Sequence, residues 1–427
     1  MKKILFFCSL LAACTVNAQQ LSAEEQKIIA YIRQNLPQNL KLLEEIVNIN
    51  SGSMNVEGVK KVGEVLGKQF EQIGLKSEWI KLPDSLKRAG HLVASVKGTK
   101  GKKLFLIGHL DTVFEPDMTA NPYRKLNDST ATGQGVNDMK GGNVIILAAL
   151  QALHHAGALK DRTIIAYFTG DEEKTGQPAS VSRADFITRA RQTDIALGFE
   201  GANGLNTVAT ARRGYNSWEV KVTGRQAHSS GVFNNNYGAI YEGARILNEF
   251  RTQLSGERYL TFNPGLFAGG SEMDYDSSAI TASIASKLNI ISPTTIIQGD
   301  LRFLTSEQKE RARQRMRAIV KTNNLPGTSA TISFTEGIPA MEPTKGNDDL
   351  VKVLSKVNTD LGFGNAVAGD PGSRGAGDIS YVAGFVDCLD GLGASGRGAH
   401  APGETINLNE FPKLIERAAI FIYRLTR

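Results

Sequence analysis

Leu104-Phe105-Leu106-Ile107-Gly108-His109-Leu110-Asp111 is the stretch whose reading decides the fold. Its four consecutive apolar residues do not alternate with polar ones. That pattern suits a strand buried on both faces, as in the parallel sheet of an α/β protein. A histidine and an acid follow directly, where the strands of open α/β sheets deliver ligand-binding side chains. The arrangement recurs. Thr163 to Phe168 reads as a buried strand, and Thr169-Gly170-Asp171-Glu172-Glu173 follows it. Ile195 to Phe199 reads as another and leads into Glu200-Gly201. Gly135-Val136-Asn137-Asp138-Met139-Lys140-Gly141-Gly142 opens an apolar helix running from Gly142 to Ala156. A fifth motif, Gly396-Arg397-Gly398-Ala399-His400, lies far along the chain.

Outward from this centre, Ser22 to Asn48 and Val56 to Ile73 have helical apolar spacing, the second closed by Gly74. His91 to Val96 reads as a strand. Strands alternating with helices predict an α/β domain. The texture changes near Arg212. Tyr215 to Thr223 alternates as a half-exposed strand does. Helices are expected over Tyr237–Leu254 and Ser306–Asn323, the latter capped by Ser306. Strands are expected over Ile280–Ile291, Thr294–Phe303 and Ile332–Phe334. This is an α+β unit inserted into the larger domain. The expected division is 21–211 and 338–427 for the α/β domain and 212–337 for the insertion.

Residues 1–18 read as a signal peptide: Lys2 and Lys3, an apolar run from Ile4 to Ala13, and a small-x-small site at Val16-Asn17-Ala18. Leu11-Ala12-Ala13-Cys14 is also a lipobox pattern, so a secreted or periplasmic protein and a lipoprotein anchored at Cys14 are both open. No later stretch suits a transmembrane helix. The 427 residues are 41% apolar and 22% charged, which excludes a disordered chain. A net charge of +6, including Lys2 and Lys3, does not argue for nucleic acid. Of three cysteines only Cys388 lies beyond the leader, so no intrachain disulfide is expected.

Two imidazoles and several carboxylates in one crevice, without a thiolate, suit zinc, with manganese or cobalt as alternatives. Packed carboxylates repel one another, and two divalent ions sharing a carboxylate relieve that repulsion. Asp111 can orient the imidazole of His109. The doublet Glu172-Glu173 can put one carboxylate on a metal and leave its neighbour as general base. Taken singly, each motif has a plainer reading: a polar pair, a solvated acidic turn, a helix cap. Their shared position after buried strands favours the metal centre.

These motifs, with Gly224-Arg225-Gln226-Ala227-His228-Ser229, Asn289-Ile290-Ile291 and Asp300-Leu301-Arg302, resemble the dinuclear zinc exopeptidase and aminoacylase family. The likeness is strongest to secreted glutamate carboxypeptidases of the carboxypeptidase G type. It implies a three-layer α/β catalytic domain of the phosphorylase/hydrolase-like kind, with an inserted ferredoxin-like α+β lid that mediates homodimerisation. It implies two Zn2+ per chain. Asp138 would bridge them, His109 and Glu200 would complete one site, and Glu173 and His400 the other. It assigns Glu172 as catalytic base, Asp111 as the partner orienting His109, and a cis bond between Asp138 and Met139. It makes His228 a residue that reaches a partner's active site, assisted by Asn289, and Arg302 the holder of the substrate's carboxylate.

The implied activity is hydrolysis of an amide bond next to a free carboxylate, in a small peptide or N-acyl amino acid. A C-terminal acidic residue is the first expectation, and aminoacylase or dipeptidase activity the second. The stretches Gly372-Ser373-Arg374-Gly375-Ala376-Gly377-Asp378 and Ser395 to Glu404 depart from the close relatives on the substrate side. A non-catalytic periplasmic binding protein on the same fold is the rival from another class. Neither a serine-hydrolase elbow nor a phosphate loop is present.

Overall fold

Leu104 and Leu106 enter one apolar core, while Phe105 and Ile107 enter another. The strand that carries them, Lys100–His109, is therefore covered on both faces, as its unbroken apolar run requires. The computed structural model describes residues 21–427, so the leader reading and Cys14 lie outside the described residues. A six-stranded sheet runs in the order 76–80, 91–96, 162–169, 100–109, 195–198, 387–389. The last four strands are mutually parallel, and 91–96 pairs antiparallel with both 162–169 and 76–80. Helices Ala23–Val47, Val56–Gln72, Gly141–His155 and Phe411–Leu425 supply most of the larger core on one face. Phe186, Ile379 and Val382 close the other. The result is the three-layer α/β architecture expected.

The strands Gly214–Gly224, Thr261–Gly270, Thr294–Phe303 and Thr328–Glu336 form a separate antiparallel sheet, in the order 261–270, 294–303, 214–224, 328–336. Helices Gly238–Leu254 and Ser306–Lys321 cover one face. Trp218, Val220, Phe250, Ile297 and Met316 make its core. The chain order is β-α-β-β-α-β, the ferredoxin-like arrangement. At Gly299 an added Cβ would lie 2.5 Å from the Trp218 ring, so glycine there lets the indole lie against the neighbouring strand.

Two local expectations are corrected, and one strand is added to those expected. Ile280–Ile291 is not one strand. Thr281–Ala285 pairs back on Glu272–Asp276, and only Ile290–Ile291 pairs again, with Ala227–His228. The intervening Ser286 to Asn289 is exposed and forms no strand. The cap of Ser306–Lys321 is Thr305, whose hydroxyl accepts from the Gln308 N–H at 3.1 Å. Thr261–Gly270 escaped the sequence reading because Pro264 and a glycine pair interrupt it. It is an edge strand with a register shift at Pro264, a place where proline is tolerated.

Behind the ends of the parallel strands, fully buried Arg183 pairs with Asp171 and with Asp378 at 2.8 Å. The Thr169 hydroxyl donates to Asp378 at 2.6 Å. Replacing Arg183 by methionine leaves two buried acids without their cation. Urea unfolding should show a loss of about 3–5 kcal/mol, and a loss below about 1 kcal/mol would remove this role.

Candidate metal centre

His109 is the last residue of its strand, and its imidazole is buried. Its Nε2 lies 3.3 Å from Asp138 Oδ1 and 3.7 Å from Glu200 Oε1. His400 Nε2 lies 3.2 Å from Asp138 Oδ2 and 3.1 Å from Glu173 Oε2. The two oxygens of Asp138 thus face two imidazoles from distant parts of the chain. Ligand atoms of His109, Asp138 and Glu200 lie within 4.8 Å of one another, and so do those of Asp138, Glu173 and His400. His109, Glu172 and Glu173 also meet that spacing but leave out Asp138 and His400. The two sets sharing Asp138 use all five residues expected as ligands.

Backbone geometry puts them there. The turn Val136–Lys140 is wider than an α-helical turn and contains a cis bond between Asp138 and Met139. His400 adopts φ 66°, the left-handed region uncommon for residues with a side chain. The His109 Nδ1 faces the Asp111 backbone carbonyl at 2.9 Å and the Asp111 carboxylate at 3.4 Å. That carboxylate does a second job. It accepts the N–H groups of Glu172 and Glu173 at 3.0 and 3.1 Å and the Ser53 hydroxyl at 2.6 Å. One buried acid therefore ties the His109 loop to the acidic doublet.

The charges of the cluster conflict. Burial and the nearby Glu200 push the Glu172 carboxyl well above the usual carboxylate range. Burial and Asp138 push Glu200 up to about 8. Burial opposes the charged form of Asp138 too, yet hydrogen bonds from His109 and His400 hold it well below that range. Hydrogen bonds to Asp138 and Glu173 lift His400 to about 11. Glu173 Oε1 is buried with no hydrogen-bond partner among the described residues. A donor set of imidazoles and carboxylates, mutually repelling and with a free buried oxygen, fits two divalent cations.

Two clefts flank the cluster. One, about 670 Å³, is lined by Glu172, Glu173 and His400, by Arg302 and Tyr215 of the inserted domain, and by Tyr381. The other, about 460 Å³, is lined by Asp138, Glu200 and His400 with Arg374 and Arg397. Arg302 Nε donates to Asp300 at 2.8 Å. His228 and Asn289 are exposed neighbours on the inserted domain, joined by a 2.9 Å bond from Ser229 N–H to the Asn289 carbonyl. Neither lines these two clefts.

Glu404 lies four residues past His400, where residue type alone assigns it no role. Its buried carboxylate accepts the N–H groups of Gly135, Asn137 and Asp138 at 2.9, 2.7 and 2.8 Å and so fixes the turn that presents Asp138. Burial raises its carboxyl to about 7 despite these three bonds. An acid four residues past His400 was the available signal. Arg183 and Asp378 carried no such signal, because their partnership with Asp171 spans distant segments.

Comparison with known proteins identifies the family and the fold. The sequence profile described as Peptidase family M20/M25/M40 matches residues 105–424. Carboxypeptidase G2 of Pseudomonas sp. (strain RS-16) is 26% identical over 398 residues, covering 91% of this chain and 89% of that protein. The solved structure of aminopeptidase PepT from Bacillus cereus superposes with a TM-score of 0.72 at 18% identity, covering 91% of this chain and 98% of that one. The YXEP protein of Bacillus subtilis, described as a dinuclear metal binding peptidase, superposes with a TM-score of 0.65 at 14% identity over 93% and 99% of the two chains. At these identities the two structures show the shared fold.

Glu404→Gln replaces one acceptor oxygen by an NH2 that faces backbone N–H groups. Divalent-cation affinity measured by chelator competition should fall by roughly 10–100-fold with the circular dichroism spectrum retained. Unchanged affinity would show that the turn holds without the carboxylate.

Proposed function

Because the chain belongs to peptidase family M20/M25/M40, we propose that it hydrolyses an amide bond next to a free carboxylate, using two zinc ions. The observation that carries this reading is Asp138, whose two oxygens face His109 and His400 on opposite sides. His109, Asp138 and Glu200 would hold one ion, and Asp138, Glu173 and His400 the other. When bound, such a pair polarises the scissile carbonyl and makes water a better nucleophile.

The protein's own groups do the rest. Glu172 stands in the cleft beside the cluster, and with its charged form stabilised by bound cations it is suited to take a proton from the attacking water and return it to the leaving amine. Asp111 and the peptide N–H groups it accepts keep Glu172 in place. Arg302 lines the same cleft and suits the substrate's free carboxylate through its planar fork. This orientation puts the leaving half under the inserted domain. An acidic C-terminal residue is the first reading for that half. An N-acyl-amino-acid or dipeptide substrate is the second, favoured by the departures around Gly372–Asp378.

His228 and Asn289 would act in the partner of a homodimer formed through the inserted domain. Exposed apolar side chains there, Phe233, Ile240, Tyr241, Phe267, Ile284 and Leu288, support a covered face. The basic-apolar-small pattern of residues 1–18 supports export, with lipidation at Cys14 as the alternative form.

Glu172→Gln should lower turnover of N-acyl amino acids and dipeptides by roughly 10²–10⁴-fold while metal analysis still finds both ions. Near-normal turnover would sink the mechanism. A mixture of Glu172→Gln and His228→Ala chains, each inactive alone, should regain roughly a quarter of wild-type activity by forming mixed dimers with one complete site. No regain on mixing would place the action of His228 within its own chain or nowhere.

A further inference from the structure

We propose that Asn137 is a specificity-determining residue, whose side-chain amide donates a hydrogen bond to the first carbonyl of the acyl half beyond the scissile one. The inference rests on the amide hydrolysis proposed above and deepens it by naming a group that reads the substrate there.

Asn137 stands directly before Asp138 in the turn Val136–Lys140. Its backbone N–H is committed, donating to Glu404 at 2.7 Å. Its side chain is not. The residue is only 7% exposed, yet its amide makes no hydrogen bond among the described residues, and Oδ1 is fully buried. The side chain lies between two glycines. A Cβ at Gly201 would come within 3.2 Å of Nδ2, and one at Gly396 within 3.0 Å of Cγ. Asn137 and both glycines line the second cleft together with Asp138, Glu200 and His400. The Gly201 carbonyl accepts from Arg374 at 2.6 Å, which fixes that glycine beside the amide. Buried polar groups ordinarily have partners. A buried carboxamide without one, at the wall of a cleft that opens on the metal ligands, is placed to take its partner from a ligand.

The substrate's path sets which part of it arrives there. His400 is shared by both clefts. With the leaving half's carboxylate at Arg302 in the first, a scissile bond at the cluster directs the acyl half into the second. The Cα atoms of residues 137 and 138 are about 3.8 Å apart, and an extended substrate advances about 3.3–3.6 Å per residue. A chain whose scissile carbonyl meets the ions beside Asp138 therefore brings its preceding carbonyl level with Asn137. An amide NH2 only donates, so the group it selects is an acceptor. An acyl chain with a methylene at that point would leave the donor both unpaired and shielded from water.

The test uses the full zinc-loaded protein and three acyl groups of equal length: pentanoyl, 4-oxopentanoyl and N-acetylglycyl. Each is joined to glutamate, leucine or alanine as leaving group. The last two acyl groups carry a carbonyl where pentanoyl has a methylene. The readout is the ratio of kcat/KM for either carbonyl-bearing group over pentanoyl. We expect a ratio of roughly 10 or more in the wild type. It should fall to about 2 or less in Asn137→Ala and in Asn137→Leu, which fills the same space without a donor. Both variants keep the backbone N–H that Glu404 accepts, and metal analysis should still find two ions. A wild-type ratio near one, or a ratio that survives substitution, overturns the inference and leaves the hydrolase reading standing. Loss of the ions from both variants also overturns it, because Asn137 would then support the turn rather than read the substrate. Failure to hydrolyse any member of the panel, with both ions bound, overturns the hydrolase reading and this inference with it.

Discussion

Asp138 lies between the imidazoles of His109 and His400, which come from distant parts of the chain, and the rest of the architecture serves that placement. A carboxylate whose two oxygens each meet a different histidine must be presented end-on from an irregular backbone. The wide turn at Val136–Lys140 does this, and the buried Glu404 carboxylate pins the turn through three N–H groups. Opposing acids would push the cluster apart unless cations joined it.

Rigid support comes from buried acids behind the cluster. Asp111 accepts the backbone of Glu172 and Glu173, which fixes both the expected base and an expected ligand. Asp171 and Asp378 share Arg183, which ties the loop after one strand to the loop before the last. Each of these groups is satisfied by several partners, as buried charges require. The side chains that face the clefts are the opposite case: among the described residues Glu173 keeps an unpartnered oxygen and Arg374 keeps spare donors. The contrast separates what holds the site from what is free to bind.

Family membership and fold class were legible in the chain because the metal-ligand candidates sit beside unbroken apolar strands, where residue type and local period carry the signal. The inserted sheet was legible in part. Its alternating strand at 214–224 was clear, whereas the edge strand at 261–270 was hidden by Pro264. Glu404 was in view without a role. Its partners are peptide N–H groups, which are the same at every residue and leave no trace in side-chain identity.

Residue order by itself determined the α/β class, the candidate ligands and the division between sheet and insertion, since periodicity and short motifs are local properties. Only the folded chain decided that His109 and His400, 291 positions apart, meet on one carboxylate, that Asp111 grips two peptide groups, and that Arg374 and Arg302 fall in different clefts. Those facts depend on distances through space between segments far apart in the chain, and such distances are set by packing both faces of the sheet rather than by any neighbour in sequence.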